Sequence, residues 1–342
     1  MTPKRRIIPV FLPNAGCRHA CVFCDQRRIS GVDTYAKAAD VFRIIENGKS
    51  GIGNNETPQI IEIAFYGGSF TALPSEYQNE LLKAAQPYIR QNAQNSIRIS
   101  TRPDCIDEPT VNMLKSLGVK TIELGAQSMC NDVLEASKRG HTAEDVARAV
   151  EIIKTAGLSL ILQMMTGLPE DSREKSLLTA MRFTALKPDG VRIYPSVVVR
   201  GTRLHEMWLS GEYKEHTLSE AVELCAELCG IFDEAGITVI RIGLNPTESL
   251  SASEAVAGAY HPALGELVYS RIYYKKAAAL LQGVAPGSVV TLYVPKGNVS
   301  KMTGCRRENI DRLKTDFALR SVKIVESDDL SAIDRQLKIS VK

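Results

Sequence analysis

Three cysteines near the start of the chain have the residue type and spacing to hold an iron–sulfur cluster. Cys17, Cys21 and Cys24 lie in the string NAGCRHACVFCDQ with the spacing C-x3-C-x2-C. They directly follow an apolar run over residues 7–12, which predicts a buried strand. A loop at the end of a strand can wrap three thiolates round one face of a cubic cluster, and one iron then lacks a protein ligand. An open coordination site of this kind is where a substrate or cofactor binds a metal.

The same cysteines could instead hold a structural zinc ion, with His19 or a remote side chain as the fourth ligand. His19 lies inside the x3 segment, where a fourth tetrahedral ligand would have to fold back within a tight loop. The spacing therefore favours a cluster and leaves zinc as the alternative.

The rest of the chain alternates between strand and helix patterns. Six apolar segments are each followed by a helical pattern, and connections of that length form parallel crossovers. The predicted strands cover residues 7–12, 60–66, 97–101, 121–125, 159–165 and 190–195. This alternation predicts an α/β fold, a partial (β/α)6 TIM-like barrel that is open on one side. The active-site groups would lie at the carboxyl ends of its strands.

Polar residues follow these strands at the point where the chain would leave the sheet. Gly67-Gly68-Ser69 follows the second strand, and a glycine lets backbone carbonyls approach a ligand because no Cβ intervenes. Further polar residues near the ends of strands three to six are Arg102, Glu123, Gln127, Gln163 and Tyr194. Polar side chains in these positions are more typical of a binding site than of packing.

The cysteine motif resembles the signature of the radical S-adenosylmethionine (SAM) superfamily, which usually has an aromatic residue before the third cysteine, as Phe23 is here. The resemblance implies a [4Fe–4S] cluster on Cys17, Cys21 and Cys24, whose open iron binds SAM through its amino and carboxylate groups. It also implies that an electron from the cluster cleaves SAM to a 5′-deoxyadenosyl radical, which abstracts hydrogen from a substrate. That electron would come from a flavodoxin or ferredoxin-like donor.

Longer strings narrow the resemblance. TRPD, IELGAQS, GLPED and RIYPSVVVRGTRLHEMWLSGEY look like the radical SAM domain of the elongator catalytic subunit, which modifies wobble uridines of tRNA, over about residues 5 to 245. The resemblance implies that the segment Gly67, Gly68 and Ser69 holds the SAM amino group. It places five further side chains at SAM or in its cavity: Arg102, Glu123, Gln127, Gln163 and Tyr194. No catalytic residue is assigned beyond these.

The chain also departs from elongator subunits. It is too short for the acetyltransferase domain that follows in them, and the cysteine loop begins too early for their N-terminal RNA-binding extension. Acetyl-CoA-dependent carboxymethylation is therefore not expected. After residue 245 the pattern changes, which predicts a radical SAM domain over residues 1–245 and a small C-terminal α+β appendage over residues 246–342.

The net charge is only +3, but the basic residues are concentrated in two segments. Residues 1–30 carry six Lys or Arg against one Asp, and residues 296–323 carry eight against three acidic residues. Such segments on an acidic body indicate either a surface for a polyanion or two solvated faces. Together with the elongator-like strings they favour an enzyme that modifies RNA, such as tRNA. The alternatives are a radical SAM enzyme acting on a small molecule or peptide, and a non-catalytic, metal-stabilised RNA-binding protein.

The remaining cysteines and the hydropathy pattern add two expectations. Cys225 and Cys229 fall on one apolar stripe of a predicted helix, which indicates core packing, whereas Cys105 and Cys130 follow strands and could face the cavity as single thiols. Disulfides are not expected in a chain of this kind. No apolar run approaches the length of a membrane span, so we expect a cytoplasmic protein without membrane contact.

Overall fold

The computed structural model describes residues 4–17, 20–50, 59–247, 250–330 and 337–341, and strands and helices alternate through most of these. The strands, in chain order, are β1 (Lys4–Phe11), β2 (Gln59–Tyr66), β3 (Ser96–Thr101), β4 (Val119–Gln127), β5 (Ser159–Thr166), β6 (Gly190–Pro195), β7 (Val197–Val199), β8 (Thr238–Ile242), β9 (Ala255–Gly258), β10 (Val289–Pro295), β11 (Ser321–Ser327) and β12 (Lys338–Val341).

Twelve α-helices lie among these strands in the described part of the chain, and the last two pack against the strands near the C-terminus. In chain order they are α1 (Gln26–Ser30), α2 (Ala38–Ser50), α3 (Ser75–Ile89), α4 (Glu108–Ser116), α5 (Asn131–Ala136), α6 (Ala143–Thr155), α7 (Arg173–Leu186), α8 (Arg203–Ser210), α9 (Leu218–Glu234), α10 (Leu264–Leu280), α11 (Val299–Thr303) and α12 (Glu308–Asp316). Local chemistry sets several starts: α6 and α9 each begin with a capping box, at Thr142 and Thr217.

The main sheet has seven parallel strands in the order β1-β2-β3-β4-β5-β6-β8. Within the described residues β1 and β8 do not pair with each other, so they form the two edges of an open half-barrel. The central strands are buried along nearly their whole length; in β4 only Lys120 is exposed. Parallel strands covered by helices have this character because their outer face is buried. The predicted partial TIM-like barrel is confirmed.

The prediction of six strands was one too few, because it missed β8. Only Val239 and Ile242 of its five residues are buried, and its register against β6 shifts between Val191 and Arg192. A short edge strand with a bulge and an arginine does not show the clean periodicity on which the prediction depends.

A second, two-stranded sheet stands at the carboxyl ends of the barrel strands. It consists of β7, directly after β6, and β9, which pairs with it in antiparallel fashion from Val197 against Gly258. Since β9 lies more than fifty residues further along the chain, this pairing ties the segment after β8 back onto the barrel.

The C-terminal part forms a three-stranded sheet, with β10 between parallel β11 and antiparallel β12. The helix α10 joins it to the barrel: Leu264, Val268 and Ile272 belong to the barrel core, whereas Tyr273 and Ala277 belong to the core of the appendage. The boundary at residue 245 stays a prediction, because β9 and the first half of α10 pack with the barrel. In the described part of the chain no helix has the length and apolar composition needed to cross a membrane.

Candidate active site

The cysteine loop runs from the end of β1 to the start of α1, and its own backbone and side chains close it. The Oδ1 of Asn14 accepts a hydrogen bond from the backbone N–H of Gln26 at 3.1 Å, which joins the two ends of the loop. The N–H of Cys24 donates to the carbonyl of Cys21 at 3.1 Å. The loop is therefore a turn that brings its three cysteines to one side. Arg18 and His19 lie outside the described residues.

The turn after β2 supports this loop through backbone contacts. The N–H of Asn14 donates to the carbonyl of Gly67 at 2.7 Å, and the N–H of Ser69 donates to the carbonyl of Ala15 at 2.9 Å. A Cβ added at Gly68 would lie 2.1 Å from the carbonyl oxygen of Ala15. The close approach of two backbones thus requires glycine at position 68.

The residues between the second and third cysteines anchor the loop in an apolar cluster. Val22 and Phe23 are buried, and they pack with Leu168 of the loop after β5, Val198 of β7 and Leu204 of α8. The carbonyl of Val22 also accepts the N–H of Leu204 at 2.7 Å. The predicted aromatic residue of the motif, Phe23, therefore fixes the loop against the two-stranded sheet.

A cavity of about 190 Å³ lies between this loop and the carboxyl ends of β2 to β5. All three cysteines line it, together with polar groups from the strand ends. Its lining includes Cys17, Cys21, Cys24, Phe23, Gln26, Gly67, Gly68, Arg102, Gln127, Arg139 and Gln163. The structure thus brings the predicted metal ligands and five of the eight predicted SAM-site residues to one place.

Two buried guanidinium groups face the sulfur of Cys21. Arg139 Nη1 donates to Cys21 Sγ at 3.1 Å, and its Nη2 donates to the carbonyl of Gly125 at 2.5 Å. Arg102 Nη1 lies 3.9 Å from the same sulfur, and its Nε pairs with Asp104 at 2.9 Å. Arg102 also donates to the backbone carbonyl of Arg139, so its side chain is tied to the turn that carries Arg139. Both guanidinium groups therefore lie against the sulfur of a predicted metal ligand.

The thiol of Cys24 needs a bound cation to lose its proton. Burial, with the charge of Cys21 as the next cause, raises the pKa of Cys24 to about 12. A thiol with such a pKa is protonated at neutral pH unless a metal displaces the proton. Within the described residues no three Cys, His, Asp or Glu side chains are close enough to share a single ion. The three thiols instead surround a cavity. A cluster requires this arrangement, because each thiolate binds a different iron.

Gln127 supplies an unfilled acceptor in the same cavity. It is the last residue of β4, has φ of +68° and is 8% exposed. Its Oε1 is buried and accepts no hydrogen bond within the described part of the chain. A buried acceptor without a partner is costly, which a donor on a bound molecule would relieve. The donor set and this acceptor fit a cluster with a polar cofactor beside it.

A second cavity of about 420 Å³ continues into the barrel and opens between β1 and the segment after β8. Gln127, Gln163 and Phe23 line both cavities, whereas Glu123 and Tyr194 line only the second. Both edges of the half-barrel contribute to its lining, with Ile7, Pro9, Phe11, Arg241, Leu244, Asn245 and Thr247.

Glu123 is already saturated by protein groups at the base of this cavity. Its Oε1 accepts from Arg98 at 2.6 Å, from Arg192 at 2.8 Å and from Tyr66 at 3.0 Å, and its Oε2 accepts from Gln163 at 2.9 Å. Glu62 holds the other side of Arg98 at 2.7 Å. A fully buried carboxylate in such a network orients its neighbours, so contact between Glu123 and SAM stays a prediction.

Ser69 lines neither cavity. It is fully buried, and its hydroxyl bonds Thr101 Oγ1 at 3.0 Å, which links the turn after β2 to the end of β3. Its assignment to SAM stays a prediction. Cys105 and Cys130 also line neither cavity. Cys225 and Cys229 are fully buried in the barrel core, as predicted.

Arg139, whose Nη1 lies 3.1 Å from Cys21 Sγ, is not predicted by the sequence patterns. It follows α5 in the string SKRGH and does not follow a strand, where site residues of this fold are expected. The sequence signal that could have found it is the Arg-Gly pair at residues 139–140. In the structure this glycine has φ of +68°, and the turn it forms directs the Arg139 side chain back toward β4.

Residues 11–180 match the family model described as the radical SAM superfamily, and residues 188–274 match the model of the radical SAM C-terminal domain. The chain belongs to the radical SAM superfamily.

Its relatives are elongator-like, as the sequence strings predicted. The tRNA uridine(34) acetyltransferase of Methanocaldococcus jannaschii is 34% identical over 229 residues, which are 61% of this chain and 41% of that protein. Elongator complex protein 3 of Bos taurus is 30% identical over 233 residues, 62% of this chain and 42% of that protein. The structure of archaeal Methanocaldococcus infernus Elp3 with residues 1–46 deleted matches with a TM-score of 0.63 at 27% identity, and covers 81% of this chain and 64% of that chain. The chain spans less than half the length of these two curated relatives.

Proposed function

We propose that this chain is a radical SAM enzyme that holds a [4Fe–4S] cluster on Cys17, Cys21 and Cys24 and acts on RNA. The observation that carries the proposal is the convergence of three thiols, two buried guanidinium groups and one orphaned amide oxygen on a single cavity. This cavity lies at the carboxyl ends of parallel strands, where sites of such folds are built.

Each of these residues has a distinct task. The three cysteines would ligate three irons of the cluster, and its fourth iron would have no protein ligand. When bound, the cluster and SAM supply a 5′-deoxyadenosyl radical that takes a hydrogen atom from the substrate. Arg139 donates a hydrogen bond to the sulfur of Cys21, and the unfilled Oε1 of Gln127 would accept a hydrogen bond from a donor of SAM. Phe23, buried between two cysteines, excludes water from this part of the cavity.

RNA is the proposed substrate because of the second cavity and its surroundings. This cavity opens at the side, between the two edges of the half-barrel. One basic segment includes β1 at one edge, and the other lies in the appendage, which α10 attaches beside α9 and β8 at the opposite edge. The two basic segments therefore belong to opposite edges of the half-barrel, and both would attract a polyanion. The names of the relatives favour tRNA, with a small molecule or peptide as the alternative.

We further propose a flavodoxin or ferredoxin-like electron donor, since reductive cleavage of SAM needs a low-potential reductant. We also propose a cytoplasmic location.

The test is the yield of 5′-deoxyadenosine from SAM after anaerobic reconstitution and reduction with dithionite. Wild-type protein should release it, and bulk tRNA should raise the yield. Cys24→Ala should abolish it. Cys225→Ala, the matched control, should retain it because Cys225 is buried far from the loop in the barrel core. Absence of 5′-deoxyadenosine from cluster-loaded wild-type protein would contradict the proposed function, and a yield unchanged by tRNA would favour the small molecule or peptide.

A further inference from the structure

The charged groups that line the second cavity do not balance. Three charged side chains line it: Glu123, Arg192 and Arg241. The carboxylate of Glu123 is shared by Arg192 and Arg98, and Arg98 also pairs with Glu62 behind the cavity wall. Two carboxylates therefore serve Arg98 and Arg192, and none remains for Arg241.

Arg241 is held in place but not neutralised. Its Nε donates to the carbonyl of Gly243 at 2.9 Å, and its Nη2 donates to the carbonyl of Leu244 at 3.2 Å. No carboxylate among the described residues lies within ion-pair distance of its guanidinium group. Both contacts are to the backbone directly after β8, so they fix the guanidinium at the opening of the cavity. The Nη1 of Arg241 has no hydrogen-bond partner among the described residues, so its N–H groups are available to a ligand.

The surroundings of Arg241 disfavour an unpaired positive charge. Burial lowers the pKa of Arg241; Tyr194 opposes this effect, and the positive charge of Arg192 adds to it. An anion placed against its free donors would reverse both effects, because it replaces lost hydration and opposes the charge of Arg192. The site is thus prepared for a ligand that carries negative charge.

The other walls of this cavity suit an uncharged, flat group. Ile7, Pro9 and Phe11 of β1 form one apolar wall of the cavity. Met165, Val197 and Val199 also line it. The planar guanidinium fork matches the oxygens of a phosphate better than a point charge does. A molecule with a nucleobase against the apolar wall and a phosphate at the opening fits this division.

We propose that Arg241 is a substrate-binding residue that recognises one phosphate group at the opening of the second cavity. This inference rests on the proposed function, because it assumes that the substrate of the radical reaction enters there. The phosphate belongs either to an RNA backbone or to a free nucleotide, which share this chemistry.

The first arm of the test uses a pair of probes that differ only by a phosphate. Dissociation constants of uridine 5′-monophosphate and uridine are measured by calorimetry on reconstituted protein with an oxidised cluster and added SAM, so that no reaction occurs. Wild-type protein should bind the monophosphate about tenfold more tightly, the range for a hydrogen-bonded charge. Arg241→Gln should remove this difference, and Arg241→Lys should restore part of it.

The matched control is Arg200→Gln, which removes the same charge from an exposed arginine after β7 that lines neither cavity. It should keep the tenfold preference. Circular dichroism and the melting temperature establish that each variant is folded.

The second arm identifies the source of the phosphate with a five-nucleotide single-stranded uridine oligomer. If an RNA backbone is read, Arg241→Gln should make the slope of log affinity against log salt shallower by about 0.7, the value for one phosphate on a single strand. If Arg241→Gln weakens binding of the monophosphate but not of the oligomer, the phosphate belongs to a free nucleotide.

Arg241→Gln that behaves as wild type in both arms overturns the inference, and so does the absence of measurable binding by every probe. These results are distinct from failure of the proposed function. That failure appears as missing 5′-deoxyadenosine in the wild-type protein, which the binding measurements do not use.

Discussion

Cys21 differs from the other two cysteines in its surroundings, since two guanidinium groups face its sulfur at 3.1 and 3.9 Å. Cys24 instead has the amide of Gln26 at 3.6 Å. Hydrogen bonds and positive charge at a ligating sulfur shift the potential of an iron–sulfur cluster. At the scale of residues, the site is therefore asymmetric, and Arg139 is the side chain that makes it so.

His141 gives this region a pH dependence. It is 6% exposed, its Nε2 lies 3.2 Å from the carbonyl of Ala126, and burial, with the charge of Arg139, lowers its pKa to about 4. An unfolded histidine has a pKa of about 6.5, so below that pH the unfolded chain binds a proton that the folded chain refuses. The effect of His141 on the free energy of unfolding is absent at pH 7 and above. Between about pH 6.5 and 4 it lowers that free energy by up to about 3 kcal/mol.

The measurement is urea unfolding of the metal-free protein at several pH values between 7 and 4, for wild type and for His141→Gln. The variant should lose less stability than wild type across this window. Equal losses in the two proteins would show that His141 does not bind a proton on unfolding.

The sequence was informative about residues only where a local pattern carries the chemistry. The three cysteines and Phe23 are found from spacing alone, because one short loop holds them. Gln127 and Arg102 are found because they end strands. Arg139 is not, because its contact with Cys21 joins residues 118 positions apart and depends on how α5 and β4 pack.

At the scale of elements, the turn after β2 and the cysteine loop act as one unit. The sequence suggested that Gly67 and Gly68 leave room for a ligand. The structure adds that the Cβ missing at Gly68 would collide with the backbone of Ala15, and that one added at Gly16 would lie 2.3 Å from the carbonyl of Ser69. Both glycines allow two backbones to touch. A direct contact between Gly68 and SAM stays a prediction.

This contact predicts that Gly68→Ala destabilises the loop, by about 1–3 kcal/mol as for other overpacked sites, and that it lowers iron retention. The control is Gly230→Ala in α9, where an added Cβ meets nothing within 4 Å and alanine should stabilise the helix by about 0.5–1 kcal/mol. Melting temperature and iron content after reconstitution are the measurements. Full iron retention by Gly68→Ala would exclude the proposed role of this turn.

Elements were predictable where their patterns are long. The strands up to β6 are predictable because short segments rich in β-branched residues alternate with long helical patterns. The antiparallel pair of β7 and β9 was not predicted, since it has three and four residues and its partners are distant in sequence. Short strands of this kind are defined by the tertiary structure around them and not by their own propensity.

At the scale of the whole molecule, the basic surface of the appendage is smaller than its composition suggests. Arg312 pairs with Asp316 at 3.6 Å and lies 4.6 Å from the ring centroid of Tyr274, so it stabilises the appendage. Arg306 and Arg307 are exposed, and both have positive φ, at +49° and +69°. These two are the better candidates for contacts with phosphates.

Replacing Arg306 and Arg307 together by alanine should therefore weaken RNA binding without affecting SAM cleavage in the absence of RNA. If each contacts one phosphate of a single strand, the slope of log affinity against log salt should become shallower by about 1.4. Filter binding at several salt concentrations measures this slope. Arg43→Ala, an exposed arginine of α2, is the control for a change in net charge. A slope that matches this control would remove the appendage from the RNA surface.

The most direct test of the account is electron paramagnetic resonance of the reconstituted, dithionite-reduced protein, recorded with and without SAM. The three-cysteine cavity predicts about four irons and four sulfides per chain and the signal of a reduced [4Fe–4S] cluster. Because one iron has no protein ligand, addition of SAM should change the g-values of that signal. Stoichiometric zinc without sulfide, or a cluster signal that SAM leaves unchanged, would contradict the central claim.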